Sequence, residues 1–145
     1  MWVGLDKSPC GMAPEDRTGQ AYNEPAFRHF LAIERRRAAR ASRSILLLLV
    51  SLRRQPGRGV VISKGVASRL FAALTLCVRE VDFIGWYREE RVAGAVLTQG
   101  PGMPEPAATS RIGDRVTQIL RNHLSALEAQ QLEVRVVQLR RRTTE

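Results

Sequence analysis

Two apolar runs, Val81 to Tyr87 and Val92 to Thr98, flank the polar tetrad Arg88-Glu89-Glu90-Arg91. Such a pattern predicts a β-hairpin. Both alternating faces of each run are apolar: Val81, Phe83 and Tyr87 against Ile84 and Trp86, then Val92 and Val96 against Ala93, Ala95 and Leu97. Strands of this kind are covered on two sides rather than half solvated. Gly85 and Gly94 lie inside the strands, where glycine marks a bulge or a close backbone approach. Ser44 to Leu52 (SILLLLVSL) is a continuous apolar run between arginines and has the length of a central, doubly covered strand. Near the C-terminus Leu132, Val134 and Val136 alternate with Glu133, Arg135 and Gln138, as in an antiparallel strand with one wetter face.

Helical periodicity fills the gaps between these strands. Pro25 suits the first turn of a helix with Asn23 as its cap. Phe27, Phe30, Leu31, Ala38 and Ala41 then form an apolar stripe opposite Arg35, Arg36, Arg37, Arg40 and Arg43. Val66, Leu70, Leu74 and Val78, with Ala67 and Phe71 beside them, predict a second helix over 63–80. A third follows the Pro/Gly-rich loop 100–106, with Ile112, Val116, Leu120, Leu124 and Leu127 on one face and Thr109 or Ser110 as cap. The break Gln55-Pro56-Gly57-Arg58-Gly59 lacks the Gly-x-x-x-x-Gly-Lys-Ser/Thr order of a phosphate loop and reads as a turn.

The order helix, strand, helix, hairpin, helix, strand predicts an α+β, ferredoxin-like plan. It is a four-stranded antiparallel sheet near 44–52, 81–87, 91–98 and 131–138, with the first and third strands inside and helices packed on one face. The Arg-rich helix is then an N-terminal addition. The 145 residues make one domain, expected over 24–139, with a disordered leader over 1–23 and a polar tail over 140–145. The longest apolar run, Ile45 to Val50, is far too short to span a bilayer, and the N-terminus has no secretion signal.

Charge adds a second question. The net charge is +9, carried by 21 arginines with only Lys7 and Lys64 beside them. Basic excess of this size points to a nucleic acid or an anionic surface. Codon usage in a GC-rich genome and a simply solvated helix face explain the same arginines. Cys10 and Cys77 have no Cys-x-x-Cys or histidine company, so no metal site is read, and a reducing cytoplasm fits them. His123 has no readable acid or cysteine partner and reads as structural.

The segment Arg79-Glu80-Val81-Asp82, five residues, then Arg88-Glu89-Glu90-Arg91-Val92 resembles the signature of GGDEF domains, the diguanylate cyclases: Arg-x-x-Asp, a five-residue spacer and Gly-Gly-Asp/Glu-Glu-Phe. The resemblance covers roughly residues 24–139 and implies a nucleotide cyclase-like fold and a role in bacterial cyclic di-GMP signalling. At the turn Arg88 and Glu89 replace the two glycines that let the backbone approach substrate phosphates. Glu90 keeps a carboxylate, Arg91 replaces the second acid, and the first strand ends Val50-Ser51-Leu52-Arg53 in place of the metal-binding aspartates. The expectation is therefore a degenerate domain without catalytic residues, metal or cofactor. Arg79 and Asp82 match the family positions that grip cyclic di-GMP at an inhibitory site, and they serve equally well as a structural pair at a helix end.

Two function classes remain. One is an inactive, cytoplasmic regulatory or protein-interaction domain that senses cyclic di-GMP and acts on a protein partner or a second copy of itself. The alternative is a basic domain that binds nucleic acid or an anionic surface, ranked lower because aromatics interleaved on a sheet face are missing.

Overall fold

The computed structural model describes residues 21–55, 58–79, 81–101 and 106–139. The leader up to residue 20 with Cys10, the Pro56-Gly57 pair, Glu80, most of the 100–106 loop and the 140–145 tail lie outside the described residues.

Helix α1 spans Glu24–Ala41. The Asn23 side chain accepts a hydrogen bond from the Ala26 N–H at 3.0 Å, and Pro25 sits in the first turn, where its missing N–H costs nothing. Ser42, at φ 57°, stops the helix and returns its N–H to Ala38 and Ala39. Strand β1 (Arg43–Gln55) follows at once, then β2 (Arg58–Gly59), α2 (Lys64–Cys77) capped by Ser63, β3 (Phe83–Arg88), β4 (Val92–Pro101), α3 (Pro106–Arg121), α4 (Ala126–Gln131) and β5 (Leu132–Leu139).

The long strands are antiparallel in the order β5-β1-β4-β3, so the first and third of them are the inner ones. Leu47 faces Val96 on one side and Val137 on the other. The 55–59 break is more than a turn: β2 folds back on β1, with Arg53 opposite Gly59, and lengthens the central strand beyond its partners.

Helices cover both faces, not one. Leu48, Val50 and Leu52 of β1 pack with Ile84, Ala93 and Ala95 under α2 and α3, through Leu70, Phe71, Leu74, Val116 and Leu120. The alternate residues Ile45 and Leu47, with Val96, pack under α1 through Phe27, Leu31 and Ala38. The Arg-rich helix is thus a full layer of the domain. Its necessity is written in Ile45 to Val50 of β1, apolar at every position, which leaves no face for water.

Gly85 and Gly94 are opposite each other across the hairpin. Together they form a slot that receives the fully buried ring of Phe27: a Cβ on Gly94 would lie 2.9 Å from the ring tip. Tyr22 adds a one-residue parallel bridge on Gly85, giving its N–H to Ile84 and accepting from Trp86. A Cβ on Gly85 would come within 2.6 Å of the Tyr22 carbonyl oxygen. Both glycines therefore mark a close approach.

The C-terminal helix differs from expectation at both ends. It begins at Pro106, ahead of Thr109 and Ser110, because proline is well placed in a first turn. It also ends at Arg121, so Leu124 and Leu127 are not on it. Ser125 and Glu128 form a reciprocal capping box that starts α4 on a new axis, and Leu127 is left 64% exposed. The four-residue repeat had run straight through this reversal. No helix among the described residues is long and apolar enough to cross a membrane.

Candidate functional site

The residues singled out in the sequence fall at two ends of the hairpin. Arg79 and Asp82 stand where β3 begins, and the Arg88–Val92 turn stands where it ends, about 20 Å away along the strand.

At the first end the chain leaves α2, turns, and enters β3. The Asp82 N–H donates to the Arg79 carbonyl at 3.0 Å and closes the turn. The Asp82 carboxylate is 1% exposed and accepts four bonds: from the Arg79 N–H at 2.9 Å, from Arg79 Nε and Nη2 at 3.1 Å each, and from the Thr98 N–H at 3.3 Å. Arg79 Nη2 also donates to the Thr98 carbonyl. The two residues thus tie the α2–β3 turn to β4, and the bond and charge of Asp82 hold the Arg79 proton more firmly than usual. Asp82 has both oxygens committed, whereas the Arg79 side chain is 61% exposed and keeps N–H groups for something else.

Beside this knot lies a cleft of about 390 Å³ between the end of α2, β4 and α3. Val78, Leu97, Ile112 and Val116 give it apolar walls, and Arg79 and Arg115 bring guanidinium groups to it from different elements. Cys77 also lines it. Burial pushes that thiol above its ordinary pKa, an effect Arg115 partly offsets, and its Sγ donates to the Ala73 carbonyl at 3.4 Å. An open cleft of mixed polar and apolar lining with arginines from two elements suits a ring carrying anionic groups. Sequence reading missed Arg115. Its stripe neighbours Ile112 and Val116 marked the helix face, but only the packing of α3 against α2 shows what that face borders.

At the far end the turn is stapled to α1. The Glu24 N–H donates to Glu89 Oε1 at 2.8 Å and the Glu89 N–H to Glu24 Oε1 at 2.7 Å. Arg28 Nε donates to Glu24 and to the Tyr87 carbonyl, and its guanidinium lies 4.4 Å from the centre of the Tyr87 ring. Glu90 adopts φ 62°, and its carbonyl accepts from the Ile62 N–H at 2.7 Å. The side chains of Arg88, Glu89, Glu90 and Arg91 are exposed and Val92 is half-buried. Along β1, Ser51 and Leu52 are buried and Arg53 is ion-paired with Glu133. Among the described residues no group of three His, Cys, Asp or Glu side chains is arranged to hold a metal ion. His123 Nδ1 lies 3.0 Å from the Ile119 carbonyl at the end of α3.

No family model and no curated protein matches the sequence. Solved structures do match. The GGDEF domain of FimX from Pseudomonas aeruginosa superposes with a TM-score of 0.62 at 16% identity, over 89% of this chain and 82% of that one. A sensory box/GGDEF family protein from Caulobacter crescentus gives 0.57 at 15% identity, over 82% and 80%. The diguanylate cyclase SiaD of Pseudomonas aeruginosa, in complex with its activator SiaC, gives 0.51 at 16% identity, over 84% of this chain and 47% of that one.

Proposed function

We propose that this chain, which has the fold of a GGDEF domain, is a catalytically silent regulatory domain of the bacterial cytoplasm. In this reading residues 24–139 are the working unit. It binds cyclic di-GMP in the cleft beside Arg79 and presents the bound state to a protein partner, as SiaD is held by SiaC. The observation that carries the reading is that two arginines, Arg79 and Arg115, line one cleft beside apolar walls. Arginine forks onto a phosphate or onto the N7 and O6 edge of guanine, and the walls accept the purine face. Asp82 acts through Arg79: its carboxylate is spent on holding that side chain in place.

What occupies the turn and the strand end supports catalytic silence. Two-metal phosphoryl transfer needs converging carboxylates. Here Leu52 offers no donor and Arg53 is a cation engaged by Glu133, so these residues do not fit a divalent ion. Arg88 and Glu89 add side chains where a phosphate would need bare backbone, and Glu89 is already bonded to the first turn of α1.

Calorimetry with cyclic di-GMP on the wild type, Arg79→Ala and Arg115→Ala tests the binding. Each substitution removes a charge-assisted contact of about 1.5–3 kcal/mol, so affinity falls about tenfold or more, while Arg36→Ala leaves it unchanged. A wild type that does not bind sinks the proposed ligand. Incubation with GTP and Mg²⁺ or Mn²⁺ yields no cyclic di-GMP; turnover abolished by Glu90→Ala would overturn the catalytic reading.

A further inference from the structure

We infer that the C-terminal half of α1 is a docking surface for the phosphate backbone of double-stranded nucleic acid. Arg35, Arg36, Arg37, Arg40 and Arg43 are all exposed. Among the described residues the one carboxylate paired with any of them is Glu34, 3.0 Å from Arg37. The other four are exposed and have no ion partner among the described residues, a concentration of like charge that an anion would relieve.

Their placement around the helix is specific. Leu31 and Ala38 set the buried side of α1. At about 100° per residue, Arg36 and Arg40 then lie opposite it on the crest and Arg37 lies on one flank, while Arg35 lies closer to the buried side, at the edge of the helix. Arg43 opens β1 just past the Ser42 turn and extends the patch beyond the helix end.

The geometry distinguishes two anionic partners. A bilayer is held best when apolar side chains enter it beside the cations. The apolar stripe of α1 is spent on the sheet, and between Arg35 and Arg43 the exposed residues other than arginine are Ala41 and Ser42. Cations on a crest and one flank, continued by Arg43 past the helix end, instead suit a groove lined with phosphates, and a helix about 10–12 Å across matches a major groove about 12 Å wide. No asparagine or glutamine stands among these exposed residues to read adenine, so the contact is to the backbone and independent of sequence. This surface lies on the sheet face opposite the Arg79 cleft, so it stands or falls separately from the dinucleotide reading.

The test is fluorescence anisotropy of the full chain with a labelled random duplex of about 20 base pairs, between about 50 and 200 mM salt. Four or five phosphate contacts give a slope of log K against log salt near about −4. Arg36→Ala/Arg40→Ala makes the slope shallower by about 2 and weakens binding about tenfold or more at about 100 mM salt. The charge-matched pair Arg111→Ala/Arg121→Ala, exposed on α3, keeps the slope, and melting curves confirm that both variants are folded. Equal losses in the two pairs mean diffuse attraction to net charge and overturn the inference, as does failure of the duplex to bind. Binding to phosphatidylserine vesicles that the duplex cannot displace assigns the surface to lipid instead, which also overturns it.

Discussion

The Phe27 slot makes a prediction whose sign depends on background. Gly94→Ala places a Cβ 2.9 Å from Phe27 Cζ and 3.2 Å from Cε2, closer than packed carbons tolerate, so the ring or the strand must shift. Overpacking of this kind costs about 1–3 kcal/mol. Phe27→Ala costs about 3–5 kcal/mol through the void left by a fully buried ring and the lost edge contact with Phe83, whose centroid is 5.5 Å away. Without that ring, the nearest remaining neighbour of the new Cβ is Tyr87 Cβ at 3.4 Å, an ordinary contact. The added methyl then fills part of the void, and replacing glycine within a strand contributes about 0.5–1 kcal/mol. Gly94→Ala is therefore destabilising in the wild type and neutral or stabilising in Phe27→Ala, a coupling of about 2 kcal/mol. Urea unfolding followed by tryptophan fluorescence measures it, because Trp86 packs edge-on against Phe71 at 5.0 Å and loses that contact on unfolding. Gly85→Ala is the contrast: its Cβ meets the Tyr22 backbone at 2.6 Å, so removing the Phe27 ring does not relieve it. Equal costs for Gly94→Ala in the two backgrounds would refute the slot.

Three further outcomes can be checked. Asp82→Ala strips partners from the N–H groups of Arg79 and Thr98, costs about 2–4 kcal/mol and lowers the melting midpoint by about 6–12 °C; a change under about 2 °C would mean the knot is dispensable. Glu90→Gly removes a side chain from a left-handed residue and raises stability by about 1 kcal/mol in urea titrations, and a lowered midpoint argues against strain at this turn. Hydrogen bonds from Arg69, then the Ser125 N–H, hold Glu128 below its usual carboxylate pKa, so its contribution is present above about pH 4.3 and is lost as pH falls through the lowered value. Melting midpoints against pH show this loss, Glu128→Gln removes that part of it, and an unchanged acid limb in the variant contradicts the assignment.

Local pattern was enough to determine the hairpin, the central strand and the cap at Asn23. The spacing between Arg79, Asp82 and the Arg88–Val92 turn was likewise covalent and readable. These features depend on neighbours a few residues apart, whose periodicity and hydrogen bonding are set by the chain itself. The double apolarity of Ile45 to Val50 required two covering layers, yet the element order placed the helices on one face and made α1 an addition; only the packing shows that α1 supplies the second layer. Tertiary structure alone decided the rest. Leu124 and Leu127 kept a helical spacing, yet the chain turns at the Ser125 capping box, so that Leu124 still packs on the core while Leu127 is left exposed. Gly85 and Gly94 marked a close approach whose visitor, Phe27, comes from nearly sixty residues away. Arg115 reaches the cleft, and Asp82 is consumed by Thr98 and Arg79, through contacts that exist only once α3 and β4 lie beside the end of α2. Sequence spacing fixes which side chains share a face; which face meets which depends on the pairing of distant elements, a choice made by burial across the whole sheet.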